Sequence, residues 1–291
     1  MSERYAITGA NGNLGVRSIV TLGVDQVRAL VRSNRAKDDL LKKFPALDVR
    51  IVDYTDADSL RVAIEGCDVV VHLVGIIKET KFSSYVDAHE RSCDALVAAL
   101  PDTVRSIIYL SIIGSQPHSK NICLASKGRA ESILMAAPVD VTVLQVPMVL
   151  GEGDYASAAL NRNASKTRAM TFRATSLEQP IYAGDVISAI IAAAQLGGTV
   201  RYLLGGPESL SRRALIQRAA SLKGNTVQVI SLPVGLGMVL AWIFEWFANP
   251  PVTRAMLGVL DHDDQIDSHQ TIDALGITLT PLDTMLSKVA T

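Results

Sequence analysis

Cysteine is scarce: Cys67, Cys93 and Cys123 are the three in 291 residues, far apart and without a CxxC spacing. That argues against a disulfide framework or a cysteine-rich zinc site and points to a reducing compartment. Charge of one sign is lacking too. Lys+Arg 28 against Asp+Glu 29 leaves a net charge of -1, which offers no general attraction to a nucleic-acid backbone, so no nucleic-acid partner is expected. There is no internal repeat and no low-complexity tract. Hydrophobic residues at 48% and charged residues at 20% are globular values and exclude a disordered or fibrous chain. The N-terminal apolar stretch breaks at Gly9, too early for a signal-peptide core. A cytoplasmic location is the expectation.

Long apolar runs are also missing, with one exception. Leu232 to Phe244 carries no charge, and after Glu245 the apolar character resumes at Trp246-Phe247-Ala248. A bilayer span needs ~20 apolar residues. This stretch holds Pro233, Gly235, Gly237 and a carboxylate, so spanning is not expected. The segment Leu232 to Phe247 reads first as a buried or inter-lobe helix. A membrane-surface contact, which would make the protein peripheral, and a protein interface stay open as alternatives.

What is present is an alternation of strands and helices. Strands are expected at 4–8, 26–32, 48–52, 68–74, 104–111 and 139–146, with helices at 14–22, 37–43, 56–64, 84–100 and 124–137 between them. The run at 68–74, interrupted only by His72, suits a parallel strand covered on both faces. Such alternation requires right-handed crossovers and predicts an α/β fold with a doubly wound parallel sheet. Residues 1–150 form the expected dinucleotide-binding domain, and 151–291 a smaller α+β lobe for substrate or docking, whose later strands could return to the first domain. Residues 161–178 are polar and read as an irregular segment, while 187–196 and 211–222 read as helices.

The strongest chemical signal is Thr8-Gly9-Ala10-Asn11-Gly12-Asn13-Leu14-Gly15, directly after a strand and opening a helix. Gly9 would permit a tight turn, Gly12 backbone approach to a pyrophosphate, and Gly15 close helix packing. The helix N-terminus would then present amides to phosphate. These glycines are spaced three and three rather than two and three. At the end of the second strand the chain reads Ala29-Leu30-Val31-Arg32-Ser33-Asn34-Arg35, without the acid that usually receives the ribose hydroxyls of NAD. Arg32, helped by Ser33 and Arg35, would pair with a 2′-phosphate. NADP(H) is therefore the expected cofactor and NAD(H) the alternative.

These motifs, with Asp53-Tyr54-Thr55-Asp56, Val69 to Gly75, Val146-Pro147-Met148-Val149-Leu150-Gly151, Pro180 to Val186 and Leu204 to Glu208, resemble the extended and atypical short-chain dehydrogenase/reductases. The likeness is nearest the NmrA-like branch and relatives of the nucleotide-binding accessory subunit of respiratory complex I. It covers most of the chain. It implies that Asp53 and Tyr54 border the adenine, that His72, Leu73, Val74 and Gly75 line the passage to the nicotinamide, and that Pro147 and Lys127 also meet the cofactor.

The resemblance fails at the catalytic motif. Active members of the family use Tyr-x-x-x-Lys after the fifth strand, with an assisting Ser. In this motif Lys lowers the Tyr pKa and Tyr moves the proton that accompanies hydride transfer. Here Lys127 matches, but Cys123 stands in the Tyr position. Ser111 lies near the strand end, yet Ile112 and Ile113 fill the places where the hydroxyl is expected. Other proton sources are Lys78, Tyr85, His89 and Tyr109, the last read mainly as a packing residue, as is His72. His262 and His269 sit in an acidic patch read as a solvated loop, so no metal is expected. No G-x-S-x-G elbow or glycosidase pair occurs. Two functions follow: an NADP(H)-binding protein with a degenerate catalytic motif and a binding, assembly or redox-sensing role, or an NAD(P)H-dependent reductase of a hydrophobic or quinone-like substrate.

Overall fold

A computed structural model describes residues 3–246, 253–259 and 262–290. Phe247 and Ala248 of the readings above lie outside the described residues.

The chain divides into two compact units, one of residues 1–145 with 187–202, the other of residues 146–186 with 203–291. In the first, β1 (Tyr5–Thr8), α1 (Asn13–Leu22), β2 (Val27–Val31), α2 (Asn34–Lys43), β3 (Asp48–Ile51), α3 (Ala57–Ile64) and β4 (Val69–His72) follow in order. Then come α4 (Ser92–Ala99), β5 (Ser106–Ile112), α5 (Ile122–Met135) and β6 (Asp140–Val146). The sheet has seven strands, ordered from the strand Val200–Leu203 through β6, β5, β4, β1 and β2 to β3. β1 pairs in parallel with β2 and β4, β2 with β3, and β4 with β5. Every residue of β1, β2 and β4 is buried, as a sheet covered by helices on both faces requires. This is the doubly wound α/β fold.

Chain order reverses between β1 and β4, and in such sheets the crevice beyond the strand ends at that point receives the ligand. The elements around it are fixed by local chemistry. Ser33 caps α2, Asp56 caps α3 and Asn121 caps α5 through side-chain oxygens. Arg28 is buried inside β2 because Asp48 and the carbonyls of Ala63 and Glu65 take its guanidinium. Glu131 of α5 has no exposed surface and receives Ser111, Gln145 and Arg201, joining α5 to β5, β6 and the edge strand.

Three expectations are corrected here. The helix expected over 84–100 is not uniform: Val86–Arg91 winds as a π-helix before α4. The segment 161–178 is not irregular. It contains the end of the helix Tyr155–Ala164 and the strand Arg168–Phe172, which pairs in parallel with Gln228–Leu232 in the second unit. Its polar residues are on the outer faces of both elements: Arg162 and Arg168 are exposed while Ala164 and Ala169 are buried. The apolar stretch does form a helix, Val234–Phe244, but not a buried one. Only Gly237 and Ala241 are covered, while Leu236, Val239, Leu240, Trp242, Ile243 and, just beyond, Trp246 are exposed. Among the described residues, no helix is long and apolar enough to cross a membrane.

Candidate functional site

The loop after β1 is built around its glycines. Gly9 has φ +66, the left-handed region, and a Cβ there would lie 3.4 Å from the Leu73 backbone. Gly15 touches the Ala10 backbone, where a Cβ would approach to 2.6 Å. Gly12, exposed, is the N-cap of α1 with extended backbone and no side-chain cap bond, and the first turn holds no acid. The first turn of α1 thus carries neither a side-chain cap bond from its N-cap nor an acid, a setting suited to an anion. The donors and the glycine cradle fit a dinucleotide pyrophosphate.

Tyr54 braces this loop from the turn after β3. Its hydroxyl accepts from the Gly9 amide at 2.9 Å and donates to the Leu30 carbonyl at 2.6 Å, and burial pushes its pKa up to about 12. Asp53 is exposed and accepts from the Thr55 amide and hydroxyl, which hold its carboxyl below the usual range. Arg32 is exposed and makes no hydrogen bond or ion pair with other described residues. Arg35 is 93% exposed and leans on Asp39 at 3.9 Å, and Ser33 is spent on capping α2. Asn13 accepts from Arg17, while Asn11 is exposed and Leu14 half-buried.

At the end of β4 the Thr8 hydroxyl sits 3.0 Å from His72 Nδ1 and accepts from the Leu73 amide. Burial drives His72 down to about 3, so the ring is neutral and structural. Leu73 and Val74 are half-buried and Gly75 is exposed. Gly75 lies against Lys127: a Cβ on it would be 3.0 Å from Nζ. Lys127 donates to the Leu110 carbonyl and lies 4.4 Å from the Tyr109 ring centroid, and burial lowers its pKa to about 8.

The other catalytic expectations do not assemble. Cys123 has no exposed surface; its thiol faces the Ile76 carbonyl at 3.7 Å, and burial pushes it up to about 11. Ser111 donates to the buried Glu131 at 2.5 Å. Tyr109 is wholly buried between His72 and Lys127. His89 is buried with Nε2 at the Ile76 backbone and its pKa lowered to about 3. Tyr85 is buried and donates to the Ile77 carbonyl. Pro147 is half-buried and belongs to the second unit. His262 pairs with Asp264 at 2.9 Å, and the described residues contain no group of three or more His, Cys, Asp or Glu placed to hold a metal. Sequence reasoning missed Thr8, whose quoted place in the motif did not suggest its bond to His72, and Glu131, which carries no local signal.

Comparison with known proteins places this geometry. Residues 8–195 match the profile of a family described as NAD(P)H-binding. The chain is 25% identical over 256 residues to the mitochondrial NADH dehydrogenase [ubiquinone] 1 alpha subcomplex subunit 9 of Arabidopsis thaliana, covering 84% of this chain and 63% of that protein's length. Among solved structures, gox2253 superposes with a TM-score of 0.77 at 18% identity, over 99% of this chain and 97% of the other. A nucleoside-diphosphate-sugar epimerase from Staphylococcus aureus gives 0.74 at 20% identity, over 97% and 99%. The neighbours share the fold, and the profile spans more than half of the sequence: the chain belongs to the NAD(P)H-binding family.

Proposed function

We propose that this protein binds NADP(H) without turning it over and serves as a dinucleotide-holding subunit of a larger assembly. A bound reduced dinucleotide would carry a hydride at its nicotinamide, which this reading leaves untransferred. The chain's own residues then bind and orient: the α1 amides, opened by Gly9, Gly12 and Gly15, would take the pyrophosphate, with Asn11, Asn13 and Leu14 beside it. Arg32, unpaired and exposed, would take the 2′-phosphate, and Lys127 beside Gly75 would meet the ribose near Leu73 and Val74.

The observation that carries this reading is Cys123. The residue that should move a proton is a thiol with no exposed surface and a pKa near 11, so it has neither the reach nor the acidity of a phenol paired with lysine. Ser111 is tied to Glu131 and offers no help. A tightly held dinucleotide stabilises the folded state by mass action, independently of turnover. The resemblance to a subunit named for NADH dehydrogenase, over 63% of that protein, supports an assembly role. The exposed apolar helix Val234–Phe244 is the docking contact this reading assigns.

The test is NADPH oxidation followed by absorbance with a panel of quinones and aldehydes, beside calorimetric binding. Tight NADPH binding without oxidation across the panel is expected. Substrate-dependent oxidation that Lys127→Ala abolishes would overturn this reading in favour of a reductase.

A further inference from the structure

We infer that the second unit carries a binding site for a small uncharged apolar molecule, about the size of one aromatic ring, beneath the helix Val234–Phe244. A cavity of about 170 Å³ lies there, walled by Met148, Phe172, Val234 and Leu257. Val234, the first residue of that helix, lines it, and the helix rides directly on the Phe172 ring: a Cβ on Gly237 would lie 2.9 Å from it. An apolar cavity of about 150 Å³ is known to stay dry and to admit benzene, so the size and lining here suit a single ring.

The charges at the cavity decide the ligand's chemistry. Arg173, Glu178 and Arg212 also line it. Arg212 is spent on Glu178, at 2.6 Å through Nε, and on the Phe172 carbonyl, with both side chains of the ion pair nearly buried. Arg173 is bound to Asp263 at 2.9 Å. Its backbone has φ 45, which is strained for a side-chain-bearing residue. Its amide on Leu232 and the Ala174 amide on Ser231 hold that conformation. Such strain persists where the surroundings over-determine it and clusters around ligand clamps.

The two guanidinium groups and their two carboxylates therefore sum to zero. An anionic ligand that took Arg212 from Glu178 would leave that carboxylate buried and unpaired, which is strongly unfavourable, whereas the part-exposed Arg173 and Asp263 hold each other only weakly. The Staphylococcus aureus neighbour is named for nucleoside-diphosphate sugars. A diphosphate needs cations that are not already committed, and here both arginines are. The buried Arg212–Glu178 pair and the apolar walls together favour uncharged apolar ligands over such anions. This inference rests on the second unit alone and stands or falls independently of dinucleotide binding.

The experiment is ¹⁹F NMR titration of the full chain with fluorobenzene. Saturable binding is expected, with benzoate and UDP-glucose each at least about tenfold weaker. Leu257→Trp fills the cavity and should abolish the fluorobenzene signal change while circular dichroism and the melting transition show a folded protein. Val234→Trp serves the same purpose from the helix if the first variant does not fold. The proposal is overturned if the wild type shows no saturable binding, if a folded filled variant binds as well as the wild type, or if benzoate or UDP-glucose binds as tightly as fluorobenzene.

Discussion

The Tyr54 hydroxyl stands between the Gly9 amide and the Leu30 carbonyl, accepting from one at 2.9 Å and donating to the other at 2.6 Å. One phenol thus locks the left-handed turn of the phosphate loop to the end of β2. Tyr54→Phe removes both bonds and leaves two backbone groups without that partner. We expect a stability loss of about 1–2 kcal/mol in urea unfolding. NADPH affinity should fall about tenfold by calorimetry, since the α1 amides lose their fixed aim. With the phenol pKa near 12, the brace should hold unchanged up to pH 10.

Cofactor choice should reside in Arg32. The end of β2 offers no carboxylate, and this exposed guanidinium has no competing partner among the described residues. NADPH should bind at least about tenfold more tightly than NADH. Arg32→Ala should erase that preference by weakening NADPH alone, and the wild-type preference should shrink with added salt. Equal affinities in the wild type would refute the assignment.

The legible part of this protein was the part written in local pattern. A glycine turn between an apolar strand and a helix, repeated strand–helix alternation, and the run through Val69 to His72 specify the sheet because period and burial coincide there. The remainder depends on partners distant in sequence. Ser111 loses its hydroxyl to Glu131 twenty residues on, and Tyr54 reaches back to Gly9. The strand Arg168–Phe172 escapes notice because its partner, Gln228–Leu232, lies far along the chain. The helix Val234–Phe244 shows a different limit: hydrophobicity reports what a segment would gain by burial, and this one is exposed in the single chain.

Two of the loop glycines, Gly15 and Gly12, should separate by their surroundings. A methyl at Gly15 would meet the Ala10 backbone at 2.6 Å, which a flexible side chain cannot relieve, so Gly15→Ala should cost about 1–3 kcal/mol or more of stability. A methyl at Gly12 meets the Gly9 carbonyl oxygen alone, at 3.2 Å. Gly12→Ala should therefore fold with nearly wild-type stability yet bind NADPH about tenfold more weakly, because the methyl stands over the turn. Urea unfolding and calorimetry on the two variants test the contrast, and equal stability losses would contradict it.

Lys127 should leave a signature in stability against pH. Burial lowers its pKa from 10.5 to about 8 in the folded chain. Between those values the unfolded chain holds a proton that the folded one has released, so unfolding takes up a proton and stability rises with pH. The benefit is complete above the unfolded pKa and is lost as pH falls through 8, where the buried ammonium must be carried. Lys127→Met has no such proton. At pH 7, without dinucleotide, the variant should be the more stable protein, and the gap should close by on the order of 3 kcal/mol between pH 8 and 10.5. Burial keeps the Cys93 and Cys123 thiols, raised to about 12 and about 11, protonated in the folded chain over most of this range, so the lysine dominates the difference. A gap independent of pH would mean that the amine is solvated, and the close packing of Lys127 against Gly75 and Tyr109 would then be wrong.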